Sequence, residues 1–424
     1  MQNQELILSA KLSDHLRDRS REIDCIGLSG SERSYLISKI YSQHQLPCLV
    51  VVSTVKEAEI LIADLRFFSG QPELPILFFP PYHILPFKFL SYHNETAGHR
   101  IRVLHQLMEF NRPPIVVTTV DALLQKIIPR QEIGRYVELL IAEEEIDRDG
   151  LITKLIAGGY SKTAIVEEFG DFSVRGGIID VFSPLYDDPL RIEFYGDMVE
   201  SLRFFSASNQ RKIKDIQEAI ILPARELILN NEFIPSIISS IRSISNDLDV
   251  PVSHARNIID TIRHQQDVSG LESLLPIFYS RLDTLFDYTP ENALIVTLNP
   301  EELEKTALET EDRLAANYNA SRDDKKLCVE PQELYLSWTQ AAATMADRKP
   351  LNFKMLDVIK SNDTRQLPPD QFHAKVEANA DLRLTLENYR EKEQLLEPLV
   401  EWLRNKQLSG FAPVLISRNR THAD

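Results

Sequence analysis

The sequence predicts a multi-domain α/β fold in which a helix-covered parallel sheet is interrupted by a β-rich insertion. Residues 23–135 alternate short, continuously apolar runs with amphipathic segments, the pattern of parallel strands buried between helices. This alternation stops near Tyr136, and the segment Phe169–Arg211 is instead rich in short strands and tight turns. Helices dominate again after residue 226, and a new strand begins near residue 350. The fold class is therefore α/β, with one inserted domain and a small α/β unit at the end.

The first α/β part, residues 1–135, is predicted from four apolar runs. Strands buried on both faces carry Val, Ile and Leu without polar interruption. The predicted strands are Ile23–Leu28, Cys48–Ser53, Ile76–Phe79 and Ile115–Val120. The predicted helices begin near Ser34, cover Val55–Phe68 and Glu95–Phe110, and resume at Asp121, whose carboxylate suits an N-cap.

The inserted part, residues 136–225, is predicted to be a β-rich domain. A helix at Asp149–Ala157 and a Gly-Gly turn come first. Three strands are then predicted, at Phe172–Phe182, Pro189–Tyr195 and Val199–Phe205. Gly176-Gly177 is interpreted as a bulge within the first of these strands, which would redirect Arg175.

The remaining residues are predicted to complete the first domain and then to form another. Residues 226–349 are mostly helical around one strand, Ala293–Leu298. Residues 350–424 are predicted to form a small α/β domain with a strand at Leu351–Ile359, a helix at Leu382–Lys406 and a strand at Pro413–Ser417. Because a βαβ unit that stops after its strand is unfinished, we expect an N-terminal fragment of a longer protein.

Composition narrows the functional classes. The 424 residues carry a net charge of −16 with a pI near 5.2, which provides no general electrostatic attraction to DNA or to anionic membranes. The cysteines Cys25, Cys48 and Cys328 are far apart and form no CxxC motif, as expected in a reducing compartment. The N-terminus lacks a signal-peptide pattern, and no apolar run is long enough to cross a membrane. We therefore expect a cytoplasmic protein with no membrane partner.

The segment Gly27–Ser34, GLSGSERS, has the outline of a phosphate-binding loop, GxxxxGK[ST], without its chemistry. Gly27 and Ser34 fit the pattern, whereas Glu32 replaces the second glycine and Arg33 replaces the lysine. A carboxylate repels a triphosphate, and a guanidinium does not substitute for a compact ammonium in a tight loop. We predict that these residues do not bind nucleotide, although an ordinary strand-to-helix turn also explains the spacing.

No catalytic residue and no metal ligand is predicted. The strand Ala293–Leu298 continues into Asn299-Pro300 without the Asp-Glu pair that nucleotide hydrolases use to hold Mg²⁺. His93, His99 and His105 lie six residues apart and so fall on different faces of a helix.

A candidate docking face is predicted on the inserted domain. Alternation along Pro189–Tyr195 directs Leu190, Ile192 and Phe194 to the core and leaves Arg191, Glu193 and Tyr195 on the other face. Arg175 is predicted to join them. Two guanidinium groups beside a phenol suit a partner that offers carboxylates and an aromatic pocket. The alternative is an ordinary solvated polar face of a sheet.

At these residues the chain resembles the N-terminal part of the bacterial transcription-repair coupling factor Mfd, which is itself similar to the excision-repair protein UvrB. The resemblance rests on FSVRGGIIDVFSP, PLRIEFYGDMVESLRFFSASNQR, AIILPARE, IVVTTVDALLQ, LFDYTPENALIV and the altered loop GLSGSERS, all in the family's order. It extends from about Asp24 to the end and is weakest in the last segment.

The resemblance implies a first domain of RecA/helicase-like fold without ATPase activity, an inserted domain that binds the damage sensor UvrA, and a small α/β third domain. The two docking arginines of the family fall on Arg175 and Arg191, and its docking aromatic falls on Tyr195, where relatives often have Phe. Full-length relatives continue into an RNA-polymerase-binding domain and an ATP-driven DNA translocase motor. ATP and Mg²⁺ are therefore expected only in that motor, and no cofactor is expected for this chain.

The implied function is a non-catalytic module that recruits UvrA to stalled RNA polymerase. One alternative is a UvrB-like, ATP-dependent helicase that verifies DNA damage, which needs a working phosphate loop and an aromatic hairpin. The aromatic-rich segment Phe78–His93 leaves some DNA contact open. The other alternative, a DNA-binding module, is disfavoured by the acidic balance.

Overall fold

The computed structural model describes Leu12, Leu16 and residues 21–88, 92–264, 270–355, 370–374, 380–388 and 396–411. It divides into two compact units, residues 1–373 and 374–424. The described strands are β1 (Ile23–Ile26), β2 (Cys48–Val52), β3 (Ile76–Phe79), β4 (Ile115–Thr119), β5 (Glu138–Ile141), β6 (Ser161–Lys162), β7 (Asp171–Arg175), β8 (Ile178–Val181), β9 (Leu190–Tyr195), β10 (Met198–Phe205), β11 (Lys212–Ile216), β12 (Glu218–Ile221), β13 (Leu294–Leu298), β14 (Leu351–Lys354) and β15 (Asp370–His373).

The described α-helices alternate with the strands at both ends of the first unit and dominate the stretch between β12 and β13. They are α1 (Glu32–His44), α2 (Val55–Ser69), α3 (Asn94–Met108), α4 (Val120–Leu124), α5 (Arg130–Tyr136), α6 (Arg148–Ala157), α7 (Ile234–Asp247), α8 (Val252–Arg263), α9 (Leu275–Phe278), α10 (Leu285–Tyr288), α11 (Pro300–Asp323), α12 (Pro331–Leu334), α13 (Trp338–Asp347), α14 (Ala380–Asn388) and α15 (Glu397–Leu408).

A seven-stranded parallel sheet organises the first unit, in the order β15-β1-β14-β13-β2-β4-β3. Its central strands β2, β4 and β13 are buried along their whole length, as their continuous apolar runs predict. Helices cover the sheet, and each fully buried side chain such as Phe79 contributes about 1.5–3 kcal/mol to folding. The predicted α/β fold class with its parallel sheet is confirmed.

The prediction that a separate domain begins at residue 350 is wrong in one respect, because the first strand of that domain belongs to the large sheet. β14 pairs in parallel with both β1 and β13, and β15 pairs with β1, so both belong to the large sheet. The first compact unit accordingly extends to His373. The buried Asn352 amide donates to Asp24, which anchors β14 to β1 inside the sheet. The other domain boundaries stay predictions.

The inserted segment forms a six-stranded sheet, in the order β11-β10-β9-β8-β7-β6, beside the two-stranded β5–β12 pair. The two-stranded pair and helix α6 contribute Leu140, Leu151 and Leu155 to the core on the inner face. All neighbours in this six-stranded sheet are antiparallel except β6 and β7. The opposite, outer face is free of this core and holds the polar side chains described below.

Gly176-Gly177 is the turn of a hairpin, so the prediction of one bulged strand at Phe172–Phe182 is wrong. β7 and β8 are separate antiparallel strands, and Arg175 pairs with Ile178 across the two glycines. Gly176 has a φ of 59°, which the first position of a type II′ hairpin turn requires. A Cβ on Gly177 would lie 2.7 Å from the carbonyl oxygen of Phe194, so the close approach of β9 also needs glycine.

Helix α3 holds the insertion against the large sheet. A Cβ on Gly98 would lie 3.2 Å from the Pro184 side chain, and Arg102 contacts Asp187 at 3.1 Å. Deeper in, Arg100 is fully buried between the rings of Phe79 and Tyr82, 4.2 and 4.3 Å from their centroids. These contacts connect the insertion to the α/β scaffold through one helix.

The second unit is described only in part. Helices α14 and α15 overlap the predicted helix Leu382–Lys406 and extend two residues beyond it at each end, and residues 389–395 between them lie outside the described residues. The predicted strand Pro413–Ser417 and the end of the predicted strand Leu351–Ile359 also lie outside them. Among the helices that the structure describes, none combines the length and apolarity needed to cross a bilayer.

Candidate protein-docking face

The outer face of the inserted sheet is set by the two-residue alternation of its strands. Leu190, Ile192 and Phe194 point into the core and are at most 7% exposed. Their neighbours Arg191 and Tyr195 therefore lie on the outer face, as predicted. We use "docking face" below for Arg175, Asp180, Arg191, Glu193 and Tyr195.

The structure brings Arg175 and Arg191 together on one buried carboxylate. Asp180 is completely buried on β8, directly opposite Arg191 on β9. Its oxygens accept hydrogen bonds from Nε and Nη2 of Arg191 at 2.6 and 2.8 Å, and Oδ2 also accepts from Nη2 of Arg175. The hydrogen bond to Asp180 raises the pKa of Arg191, despite the opposing effect of burial. Two cations and one anion leave the group with one net positive charge.

The two arginines differ in exposure. The Arg175 side chain is 50% exposed, whereas that of Arg191 is 17% exposed. The guanidinium of Arg191 also lies over the buried ring of Phe205, 4.5 Å from its centroid. Arg191 is consequently fixed from below by a ring and along one edge by a carboxylate, while Arg175 reaches into solvent.

A second ion pair continues the docking face across β10. Glu193 accepts hydrogen bonds from Ser201 at 2.7 Å and from both terminal nitrogens of Arg203. The hydrogen bonds from Ser201 and then from Arg203 lower the pKa of Glu193. Arg203 lies directly opposite Arg191 on the neighbouring strand. The carboxylates of Asp180 and Glu193 therefore reduce the repulsion between these two like charges.

Tyr195 forms the apolar end of the docking face. Its side chain is 77% exposed, next to the turn Gly196-Asp197 and opposite Met198, which is 37% exposed. Four residues along a strand separate Tyr195 from Arg191 by about 13 Å. The predicted residues therefore form an extended strip, cationic at one end and aromatic at the other, instead of a single tight cluster.

The altered phosphate loop holds an anion of its own. Oε1 of Glu32 accepts hydrogen bonds of 2.6 Å from the backbone amides of both Ser29 and Gly30. Successive backbone amides of this kind form the concavity that binds phosphate in working loops. The carboxylate of Glu32 thus accepts from the kind of backbone amides that bind phosphate in working loops.

The other residues of the loop are also engaged within the protein. Nη1 of Arg33 contacts Oε1 of Glu57 at 3.2 Å, and Ser34 is buried at the start of α1. Gly27 has a φ of 91°, which permits the turn out of β1. The loop borders a cavity of about 420 Å³, whose charged lining residues are two bases and three acids: Arg33, Lys56, Glu57, Asp64 and Glu302.

The aromatic segment Phe78–His93 is used mainly for internal packing in its described part. Phe79 and Phe87 are at most 3% exposed, and Tyr82 stacks on Tyr92 with ring centroids 3.8 Å apart. Burial is the main cause that raises the pKa of both tyrosines well above their usual value. Phe89 lies outside the described residues.

Comparison with known proteins assigns the inserted domain. Residues 139–227 match the family described as the UvrB interaction domain. The chain is 30% identical over 424 residues to the transcription-repair-coupling factor of Myxococcus xanthus, a match that covers 98% of this chain and 35% of the relative. The resemblance to the transcription-repair-coupling factors is confirmed.

Other transcription-repair-coupling factors match in the same way. That of Bacillus subtilis (strain 168) is 28% identical over 281 residues, covering 64% of this chain and 24% of the relative. That of Escherichia coli (strain K12) is 27% identical over 311 residues, covering 73% and 26%. The chain therefore spans between a quarter and about a third of the length of these relatives. The docking face lies entirely within the matched UvrB interaction domain.

Sequence reasoning placed Arg191, Glu193 and Tyr195 on one face and expected Arg175 beside them. It missed Asp180, which pairs with both arginines, and Arg203, which pairs with Glu193. The dipeptide Gly176-Gly177 between two apolar runs is itself a hairpin signal. A hairpin there places Asp180 on the same face as Arg175. Opposite charges on neighbouring strands then predict the pairing with Arg191.

Proposed function

We propose that this chain is a non-catalytic docking module that recruits UvrA in transcription-coupled DNA repair. The observation that carries the proposal is the guanidinium pair held on Asp180, within the residues that match the UvrB interaction domain. Arg175, Arg191 and Tyr195 are the proposed contacts to UvrA.

The chemistry of the docking face suits a protein partner that presents carboxylates. Arg191 uses only Nε and Nη2 for Asp180, which leaves the Nη1 edge for a partner, and half of the Arg175 side chain is already exposed. Arginine and tyrosine are enriched in binding hot spots. A side chain that is already held in place, as Arg191 is, loses little rotamer freedom when a partner binds. The exposed ring of Tyr195 adds apolar area about 13 Å away, so a partner must contact both ends of the strip.

The absence of nucleotide chemistry in this chain is part of the proposal. It is supported by the carboxylate of Glu32 within the loop and by the pairing of Arg33 with Glu57. A triphosphate entering the loop meets a negative charge where it needs backbone amides. We accordingly propose that neither ATP nor Mg²⁺ is a cofactor of this part of the protein.

The role of the whole protein is also a proposal, since the chain spans only part of its relatives. By resemblance, an ATP-driven translocase motor elsewhere in the protein would act on DNA and release stalled RNA polymerase. The docking face would then bring UvrA to that site in the cytoplasm. The UvrB-like helicase alternative is less favoured because the described aromatics of Phe78–His93 mostly pack inward.

The test is an equilibrium titration of purified UvrA with this chain and with the Arg191→Ala variant. We expect the substitution to weaken binding by about 1–3 kcal/mol while the circular dichroism spectrum is unchanged. Arg211→Ala, at an exposed arginine beside the same sheet, is the matched control and should bind like the wild type. Equal affinity of Arg191→Ala and the wild type would remove Arg191 from the proposed contact.

A further inference from the structure

The burial and pairing of Asp180 are more specific than packing of the sheet requires. It is an acidic side chain with no exposed surface, and all of its observed side-chain hydrogen bonds come from Arg175 and Arg191. It bonds Arg191 through two parallel hydrogen bonds, the geometry that fixes the plane of a guanidinium as well as its position. Burial of a charged carboxylate is unfavourable unless the carboxylate is paired and hydrogen-bonded, so Asp180 depends on the two arginines.

We infer that Asp180 is a positioning residue for recognition of the partner, an inference that rests on the proposed function. It acts through the arginines: it holds the plane of Arg191 so that the Nη1 edge is presented, and it draws Arg175 to the same point. The partner chemistry that this arrangement fits is a carboxylate able to bridge two guanidinium groups whose spacing is already fixed.

Electrostatics explains why the positioning group must be an anion. Arg191 has Arg203 directly opposite on β10, and Arg175 shares its carboxylate on the other side. Three guanidinium groups this close repel one another unless acids separate them, and Asp180 and Glu193 are the acids in contact with them. Phe205 lies beneath Arg191 and prevents its retreat into the sheet. Without the charge of Asp180, Arg191 loses the contact that sets its direction.

The direct test is Asp180→Asn, which keeps the size of the side chain and removes its charge. We expect affinity for UvrA to fall by about tenfold or more, the equivalent of one charge-assisted hydrogen bond, mainly through faster dissociation. Asp215→Asn is the matched control, because it removes a carboxylate from β11 of the same sheet, where Asp215 pairs with Lys212 at the surface. This control should bind UvrA like the wild type.

A double-mutant cycle separates positioning from general stabilisation. If Asp180 acts through Arg191, Asp180→Asn should change affinity by less than about threefold in an Arg191→Ala background. An equal loss in both backgrounds would overturn the inference while leaving the proposed function intact. Failure of the wild-type chain to bind UvrA would overturn both the proposed function and the role of Asp180 in it.

Two further measurements test the inference, and the second of them does not require Asp180→Asn to fold. The Nε–H of Arg191 should exchange with solvent at least about tenfold faster by NMR in Asp180→Asn than in the wild type, since it loses its charged acceptor. Arg191→Lys retains the charge but cannot form the paired hydrogen bonds, so it should lose nearly as much affinity as Arg191→Ala. Wild-type affinity in Arg191→Lys would show that charge alone suffices and would overturn the inference.

Discussion

The carboxylate of Glu32 and the backbone amide of Gly30 are joined by a hydrogen bond of 2.6 Å inside a loop shaped like a phosphate-binding loop. The amide of Ser29 donates to the same oxygen. The residue that stands where the pattern has its second glycine therefore places a negative charge on the amides of the loop. The strand-loop-helix geometry is thus kept while two amides of the loop are engaged by a side chain of the protein itself.

Removing this internal anion should open the loop. In Glu32→Gly, the amides of Ser29 and Gly30 lose their acceptor, and the second glycine of the phosphate-loop pattern is restored. We expect millimolar pyrophosphate to raise the melting temperature of this variant and not that of the wild type. Glu302→Gln, which neutralises another acid beside the same cavity, should respond like the wild type. A pyrophosphate shift in the wild type would contradict the role assigned to Glu32.

The buried pair of Arg100 and Glu226 should be a strong determinant of stability. Glu226 accepts from Nε of Arg100 at 2.6 Å, and Tyr82 also donates to Glu226. Because Glu226→Gln leaves the charge of Arg100 buried without its counterion, we expect the free energy of unfolding to fall by about 3–5 kcal/mol in urea titrations.

The control for that prediction is a surface ion pair made by Arg102, which lies on the same helix as Arg100. Asp187 is largely exposed and pairs with Arg102, so Asp187→Asn should change the free energy of unfolding by less than about 1 kcal/mol. Similar losses in the two variants would mean that the buried pair contributes no more than a surface ion pair.

The ring of Tyr195, and not its hydroxyl, should matter for binding. Its side chain is 77% exposed, so Tyr195→Ala is expected to leave the fold intact while weakening binding to UvrA by about 1–3 kcal/mol. Tyr195→Phe preserves the apolar area and should bind within about threefold of the wild type. Ile213→Ala, at a half-exposed apolar residue of β11, serves as the control in calorimetric titrations. Loss of binding in Tyr195→Phe would instead assign the contact to the hydroxyl.

Much of the large sheet was predictable because its strands are both apolar and buried. The runs that became β2, β3, β4 and β13 were each identified within a residue or two. The place of β14 in the large sheet was not predictable in the same way. Its sequence, LNFK, includes two polar residues, and its place depends on contacts of Asn352 and Lys354 with Asp24, more than 300 positions away in the chain.

The docking face was predictable in its outward residues and not in what positions them. Alternation along β9 identifies Arg191 and Tyr195 from local sequence alone. Asp180 reaches Arg191 only when β8 pairs with β9, and that pairing depends on the hairpin at Gly176-Gly177. Likewise, the sequence indicates that Glu32 is unsuited to phosphate, but the rotamer that turns it back onto Gly30 is a property of the folded loop.

The most direct test of the account is the affinity of UvrA for the wild-type chain and for the Arg175→Ala/Arg191→Ala double variant, measured by calorimetry without nucleotide. We expect saturable binding by the wild type and a loss of more than about tenfold in the folded double variant. Equal affinity of the two proteins, or wild-type binding that appears only when ATP is added, would contradict a docking face that works independently of nucleotide.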